Sequence, residues 1–185
     1  MKKLSIAIVL IALCTYLPWA NAKISPDSGR TLLQWHGVVT YVSDGDTLWV
    51  RPDSGGESVK IRIDGMDAPE ICQAYGPTSR QALESLVLHQ AVNVEVRRRD
   101  NYGRVLARVS WQRADVGEWM VRQGHGWSYR YRRDAGPYVA QEAQAKAAQR
   151  GLFADTLAQQ PRDFRKRHGS CHERGATSHW QGHLS

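Results

Sequence analysis

Three short stretches hold side chains that could do chemistry together: Asp44-Gly-Asp46, the run IRIDGMDAPE from Ile61 to Glu70, and Asp100-Asn-Tyr-Gly-Arg104. If Asp46 and Asp67 face one another with no counter-charge they repel, and one of them keeps its proton. A hard divalent cation such as Ca²⁺ removes that conflict, because it takes oxygen ligands from carboxylates, carbonyls and water. Glu70, one step further out, could then accept a proton from a water molecule. Arg62 and Arg104 could face a phosphate and stabilise the charge that builds on it as water attacks. Acids for a cation and a base, with arginines for a phosphate, are the parts of a site for phosphodiester hydrolysis. Each stretch also has a plainer reading. Asp44-Gly45 is good hairpin-turn chemistry, Asp100 to Gly103 reads as a turn, and Arg62 alone would be a solvated arginine. Their coincidence in one chain favours the chemical reading, whereas Asp64, beside Gly65, reads as a strand-ending turn residue.

Short strands must carry these residues. Val38, Val39, Tyr41 and Val42, then the Asp-Gly turn, then Leu48 and Val50 form a hairpin pattern. Val59, Ile61 and Ile63 alternate with Lys60, Arg62 and Asp64, which puts Arg62 on the face opposite the apolar one. Gly76-Pro77-Thr78 starts a helix with the apolar stripe Ala82, Leu83, Leu86 and Val87. Val92, Val94 and Val96, and then Val105, Ala107, Val109 and Trp111, give two more strands. Helical patterns follow from Val116 to Gln123 and from Tyr138 to Gln149, closed by Gly124 and Gly151. Five strands with a helix after the third predict an α+β chain. Its core is a five-stranded Greek-key barrel of the OB type with about three flanking helices.

The blocks Asp44-Gly-Asp-Thr47, Arg62 through Asp67-Ala-Pro-Glu70, Tyr75-Gly-Pro77 and Asp100-Asn-Tyr-Gly-Arg104 with Leu106-Ala107 occur in order. Val121-Arg-Gln-Gly124 and Glu142-Ala-Gln-Ala-Lys146 follow. Together they resemble the staphylococcal (micrococcal, or thermonuclease) family from about Gly37 to Phe153. The resemblance implies an OB-type barrel and Ca²⁺-dependent endonuclease hydrolysis of DNA and RNA with low sequence specificity, leaving 3′-phosphate ends. It implies Asp46 and Asp67 as metal ligands, Glu70 as general base, and Arg62 and Arg104 on the phosphate. Tyr102, with Tyr129 or Tyr131, matches tyrosines that line the family's nucleotide pocket. Ala68 stands where the best-known member has threonine, so its backbone carbonyl is left as the ligand there. Asn101 replaces a basic residue before Tyr102, removing one phosphate contact.

The remaining features bound the setting. Residues 1–22 combine Lys2 and Lys3, an apolar run interrupted by Pro18, and Ala20-Asn-Ala22, the pattern of a cleaved signal peptide. Its removal from 185 residues leaves 163, and lowers the formal charge from +7 to +5. The expected organisation is a leader at 23–34, a nuclease-like domain at 35–155 and a polar basic tail at 156–185. A basic chain suits a polyanionic partner, here DNA and RNA, and a secreted or periplasmic monomer with no stable membrane association is expected. Cys72 and Cys171 remain after signal removal, and an oxidising compartment would pair them, tying the tail to the loop beside Glu70. The tail is otherwise expected to be loosely ordered; its histidines match no common zinc spacing. Trp127, Tyr129 and Tyr131 interleave with Arg130, Arg132 and Arg133, which fits either base stacking or rings that cap the core. The alternative function is a non-catalytic OB module that binds single strands, for which Asp46, Asp67 and Glu70 would be a hindrance. A third class, an interaction domain recruited by its tail, would place function after Phe153.

Overall fold

Alternating apolar side chains build the first hairpin, β1 (Gln34–Asp44) and β2 (Thr47–Pro52), around the turn at Gly45 and Asp46. Val39, Val42, Leu48 and Val50 point inward and are fully buried. Pairing slips between Val39 and Tyr41 and again between Val42 and Asp44. Such bulges bend a strand and increase its twist, which curls the sheet toward closure. The structure is a computed structural model and describes residues 33–100, 103–169 and 171. The expected signal peptide, Tyr102 and the chain beyond Cys171 lie outside the described residues.

Strand β3 (Val59–Ile63) pairs with β2 and places Arg62 opposite Thr47, one residue from Asp46. After the short β4 (Met66–Asp67) comes helix α1 (Gly76–Val87), then β5 (Ala91–Arg99) and β6 (Val105–Trp111). The sheet order is β3-β2-β1-β5-β6, and a parallel pairing of β3 with β6 joins its two ends. The five strands therefore close into the barrel expected from the sequence, and closure removes the exposed edges an open sheet would leave. Inside lie Ile61, Ile63, Val92, Val94, Ala107 and Val109; Leu83 and Val87 of α1 pack on the same core. Each fully buried Val, Leu or Ile of this set contributes roughly 1.5–3 kcal/mol.

The two-residue strand β7 (Ala114–Asp115) leads into α2 (Val116–Arg122), whose first turn is capped by Asp115 accepting from the Glu118 N–H. Strand β8 (Trp127–Ser128) pairs antiparallel with β4, which sets Trp127 opposite Asp67. Helix α3 (Val139–Ala147) is followed by a 3-10 turn, Gly151–Ala154. Glu142 on α3 is buried, and burial alone would raise its pKa. Arg130, Lys146 and the Ser128 N–H all donate to it and hold it below the ordinary range. That carboxylate fixes the loop carrying Tyr129 and Tyr131.

The C-terminal segment departs from the loosely ordered tail expected. Pro161–His168 form a fourth α-helix, α4, so among the described residues four accompany the barrel where about three were expected. Pro161 opens it, and Arg165, Lys166, Arg167 and His168 fill its last turn, where positive charge complements the helix dipole. Cys171 then joins Cys72 in a disulfide with Cα atoms 5.8 Å apart.

Candidate active site

Two close backbone approaches shape the rim. A Cβ on Gly45 would lie 1.9 Å from the Ser79 Oγ of α1, so only glycine lets the Asp44–Asp46 turn sit against the helix. A Cβ on Gly76 would lie 1.9 Å from the Glu70 carbonyl oxygen, so the start of α1 holds the Glu70 loop. Gln73, also buried, accepts from the Glu70 N–H at 3.2 Å and donates to the Gln159 carbonyl at 2.6 Å. It fastens the Glu70 loop to the chain just before α4.

The acids meet on the guanidinium of Arg62. Its Nη1 lies 2.9 Å from Asp46 Oδ1 and 2.8 Å from Oδ2, and its Nη2 donates to Asp67 Oδ1 at 2.7 Å. Asp46 accepts further bonds from the Thr47 hydroxyl, 2.9 Å, and the Ala68 N–H, 3.2 Å. Asp46, Asp67 and Ala68 are all buried. Burial works against the charge on Arg62, but Asp46 and Asp67 outweigh it and raise its pKa. Burial pushes the Asp46 carboxyl up to about 6, assisted by the nearby Asp44 and opposed by Arg62.

A group raised in this way stabilises the fold when protonated. That contribution is complete below its ordinary 3.8 and is lost as pH rises through about 6. Carbon NMR of Asp46 in metal-free protein should accordingly show a midpoint near 6. A midpoint near 4 would mean that Arg62 outweighs burial.

Asp46, Arg62 and Ala68 line an open cavity of about 1100 Å³ shared with Glu70, Arg104, Tyr129 and Tyr131. Arg104 reaches it from the β5–β6 turn, held by Asp100 through Nε–Oδ2 at 2.7 Å and its own N–H to Oδ1 at 2.9 Å. Tyr129 and Tyr131 are 39% and 59% exposed, whereas Trp127 is buried edge-on to Phe153. The aromatic run thus divides: tryptophan to the core, tyrosines to the cavity. Asp64 pairs with Arg98 at 2.9 Å at the strand end. Four expected site residues, Asp46, Arg62, Glu70 and Arg104, line this cavity from four separate segments, and Asp67 joins them through the Arg62 guanidinium.

The sequence that builds this cavity has known relatives. The family model described as staphylococcal nuclease homologue matches residues 60–155. The chain belongs to the staphylococcal nuclease family. It is 35% identical over 128 residues to an uncharacterized endonuclease of Haemophilus influenzae, covering 69% of this chain and 71% of that one. It is 33% identical over 144 residues to the micrococcal nuclease of Shigella flexneri, covering 71% and 81%. It is 34% identical over 151 residues to the protein ParB of Escherichia coli, covering 75% and 84%. Membership accounts for the closed five-stranded barrel.

Two residues that touch the candidate site were not singled out from the sequence. Gln73 has no signature of its own. Arg165 was hidden in a basic run, yet its guanidinium lies on the acids: Nη1 donates to Glu70 Oε1 at 2.7 Å and Nη2 to Asp67 Oδ2 at 3.0 Å. Its one available signal was Cys171, since a bond to Cys72 must return the tail to within two residues of Glu70.

Proposed function

We propose that the protein is a Ca²⁺-dependent endonuclease that hydrolyses phosphodiester bonds of DNA and RNA with low sequence specificity, leaving 3′-phosphate ends. The observation that carries this reading is the Arg62 guanidinium bound between Asp46 and Asp67, in one cavity with Glu70 and Arg104. The donors fit a hard cation, being oxygen throughout and buried beside one another. Asp46 and Asp67, with the Ala68 carbonyl, would hold it, and bound Ca²⁺ supplies positive charge to a phosphate oxygen. Glu70 accepts the proton of the attacking water, a task suited to a carboxylate at the cavity wall. Arg104, aimed by Asp100, neutralises charge on the phosphate. Arg62 adds to that field and keeps the two aspartates together. Tyr129 and Tyr131 offer ring faces to nucleotide bases, whose stacking tolerates any sequence.

A binding module without catalysis has no task for a carboxylate such as Glu70 set at the wall of a cavity built for a polyanion. The relatives named as nucleases support hydrolysis. The signal-like residues 1–22 and the Cys72–Cys171 disulfide support a periplasmic or secreted protein acting in an oxidising compartment. Purified protein should degrade both DNA and RNA when Ca²⁺ is added and stop when the metal is chelated. Undiminished cleavage in chelator would remove the metal from the mechanism, and no cleavage in either condition would favour the binding module.

A further inference from the structure

Among the described residues no three acidic, histidine or cysteine side chains converge on one point that could take a metal ion. The carboxylates converge instead on guanidinium groups. Asp67 Oδ1 accepts from Arg62 and, at 3.2 and 3.3 Å, from both terminal nitrogens of Arg165; Asp67 Oδ2 and Glu70 Oε1 accept from Arg165 as well. Both oxygens of Asp67 are thus bonded to Arg165. A guanidinium forks across two carboxylates as a planar cation, so it satisfies the electrostatic demand that a metal ion would otherwise meet.

The helix that carries Arg165 is not held there by its own core. Pro161–His168 is a two-turn helix, too short to be stable in isolation, and Pro161 is its only buried residue. Its anchors are the Arg165 ion pairs, the Gln73 bond to Gln159 and the disulfide that begins two residues after Glu70. A tether across 99 residues of sequence keeps the arginine at high local concentration over the acids. The mechanism proposed above gives α4 no task.

We propose that Arg165 is the site's built-in counter-cation, which a divalent metal must displace from Asp67 and Glu70 before the site is loaded. It is a positioning residue that sets the metal concentration at which the site fills. In the metal-free protein its hydrogen bonds also hold the Asp67 and Glu70 carboxylates in place. Displacement returns Glu70 to the water and frees a third guanidinium beside the phosphate position. The inference rests on the metal reading of the site, and extends it to a segment beyond the family match.

The test is calorimetric titration of the purified full chain with CaCl₂, in the absence of nucleic acid. Three chains are compared: wild type, Arg165→Gln, and the disulfide-free pair Cys72→Ser with Cys171→Ser. Loss of the competing guanidinium should tighten Ca²⁺ binding by about tenfold or more in Arg165→Gln, the scale of one charge-assisted hydrogen bond. The serine pair, which keeps the arginine but releases its tether, should shift in the same direction by less. Unchanged binding in Arg165→Gln overturns the proposal while leaving the metal reading standing. Weaker binding would make Arg165 a partner of the metal rather than its competitor, and also overturns it. Absence of Ca²⁺ binding in all three chains would remove both readings together.

Discussion

Replacing Glu70 by glutamine should lower turnover on DNA by about two to four orders of magnitude at saturating Ca²⁺, the range associated with losing a positioned general base. Glutamine keeps the size of the side chain and its carbonyl acceptor, so the Arg165 hydrogen bond at the rim has a partner and the Gln73 bond to the backbone N–H is untouched. What disappears is the capacity to take a proton. Steady-state kinetics should therefore show the loss in kcat, with KM and the affinity for a non-cleavable dinucleotide close to wild type. The main-chain anchors at Gly76 and Gln73 make a collapse of the loop an inadequate explanation for such a loss. Wild-type turnover in this variant would take the base role away from Glu70. A fall in nucleotide affinity equal to the fall in kcat/KM would make it a binding residue.

The second large effect concerns Arg62. Methionine has a comparable apolar stem but no charge, so Arg62→Met leaves Asp46 and Asp67 buried, adjacent and without their shared partner. Removing one member of a buried ion pair costs about 3–5 kcal/mol, because the charge left behind is uncompensated. For a domain of this size that corresponds to a fall in Tm of about 10 °C. The deficit should be greatest in chelator at neutral pH. It should shrink with added Ca²⁺, whose charge replaces the guanidinium, and shrink again at acid pH, where one aspartate takes a proton. Thermal unfolding followed by circular dichroism with and without Ca²⁺ at pH 5 and pH 7.5 separates these effects. An unchanged Tm in chelator would show that Arg165 on Asp67, with Asp46 protonated, suffices without Arg62. Activity should fall with stability, and unlike stability it should not return with Ca²⁺, since the phosphate field loses a charge.

Much of the fold was readable along the chain because its strands alternate with period two. Val59-Lys-Ile-Arg-Ile63 could be oriented without any coordinates: the apolar side faces inward, so Arg62 faces the other way. The Asp-Gly hairpin and the helix begun at Gly76-Pro77 are likewise set by local backbone preferences. Barrel closure is different. The parallel pairing of β3 with β6 joins residues more than forty positions apart, and no local signal specifies it. Family-level motifs supplied that expectation where periodicity could not.

The site divides in the same way. The residue types in DGDT, DAPE and DNYGR announced carboxylates and arginines suited to a phosphate and a hard cation, because ligand chemistry follows from functional groups. Sequence could also bring Cys171 near Glu70, since a disulfide is a distance restraint once its two cysteines are chosen. The partners were decided by the tertiary structure. Arg62 proved to be shared between Asp46 and Asp67, Trp127 separated from Tyr129 and Tyr131, and Asp64 was taken by Arg98. A helix hidden in a polar tail delivered Arg165 to the acids. Ion pairing depends on distance and burial, and these are fixed only when the barrel closes and segments remote in sequence share one low-dielectric cavity. By itself, then, the sequence determined which charges this protein owns and which strands carry them. The folded chain decided which charge neutralises which, because charges from remote segments can pair only after closure has brought them within reach.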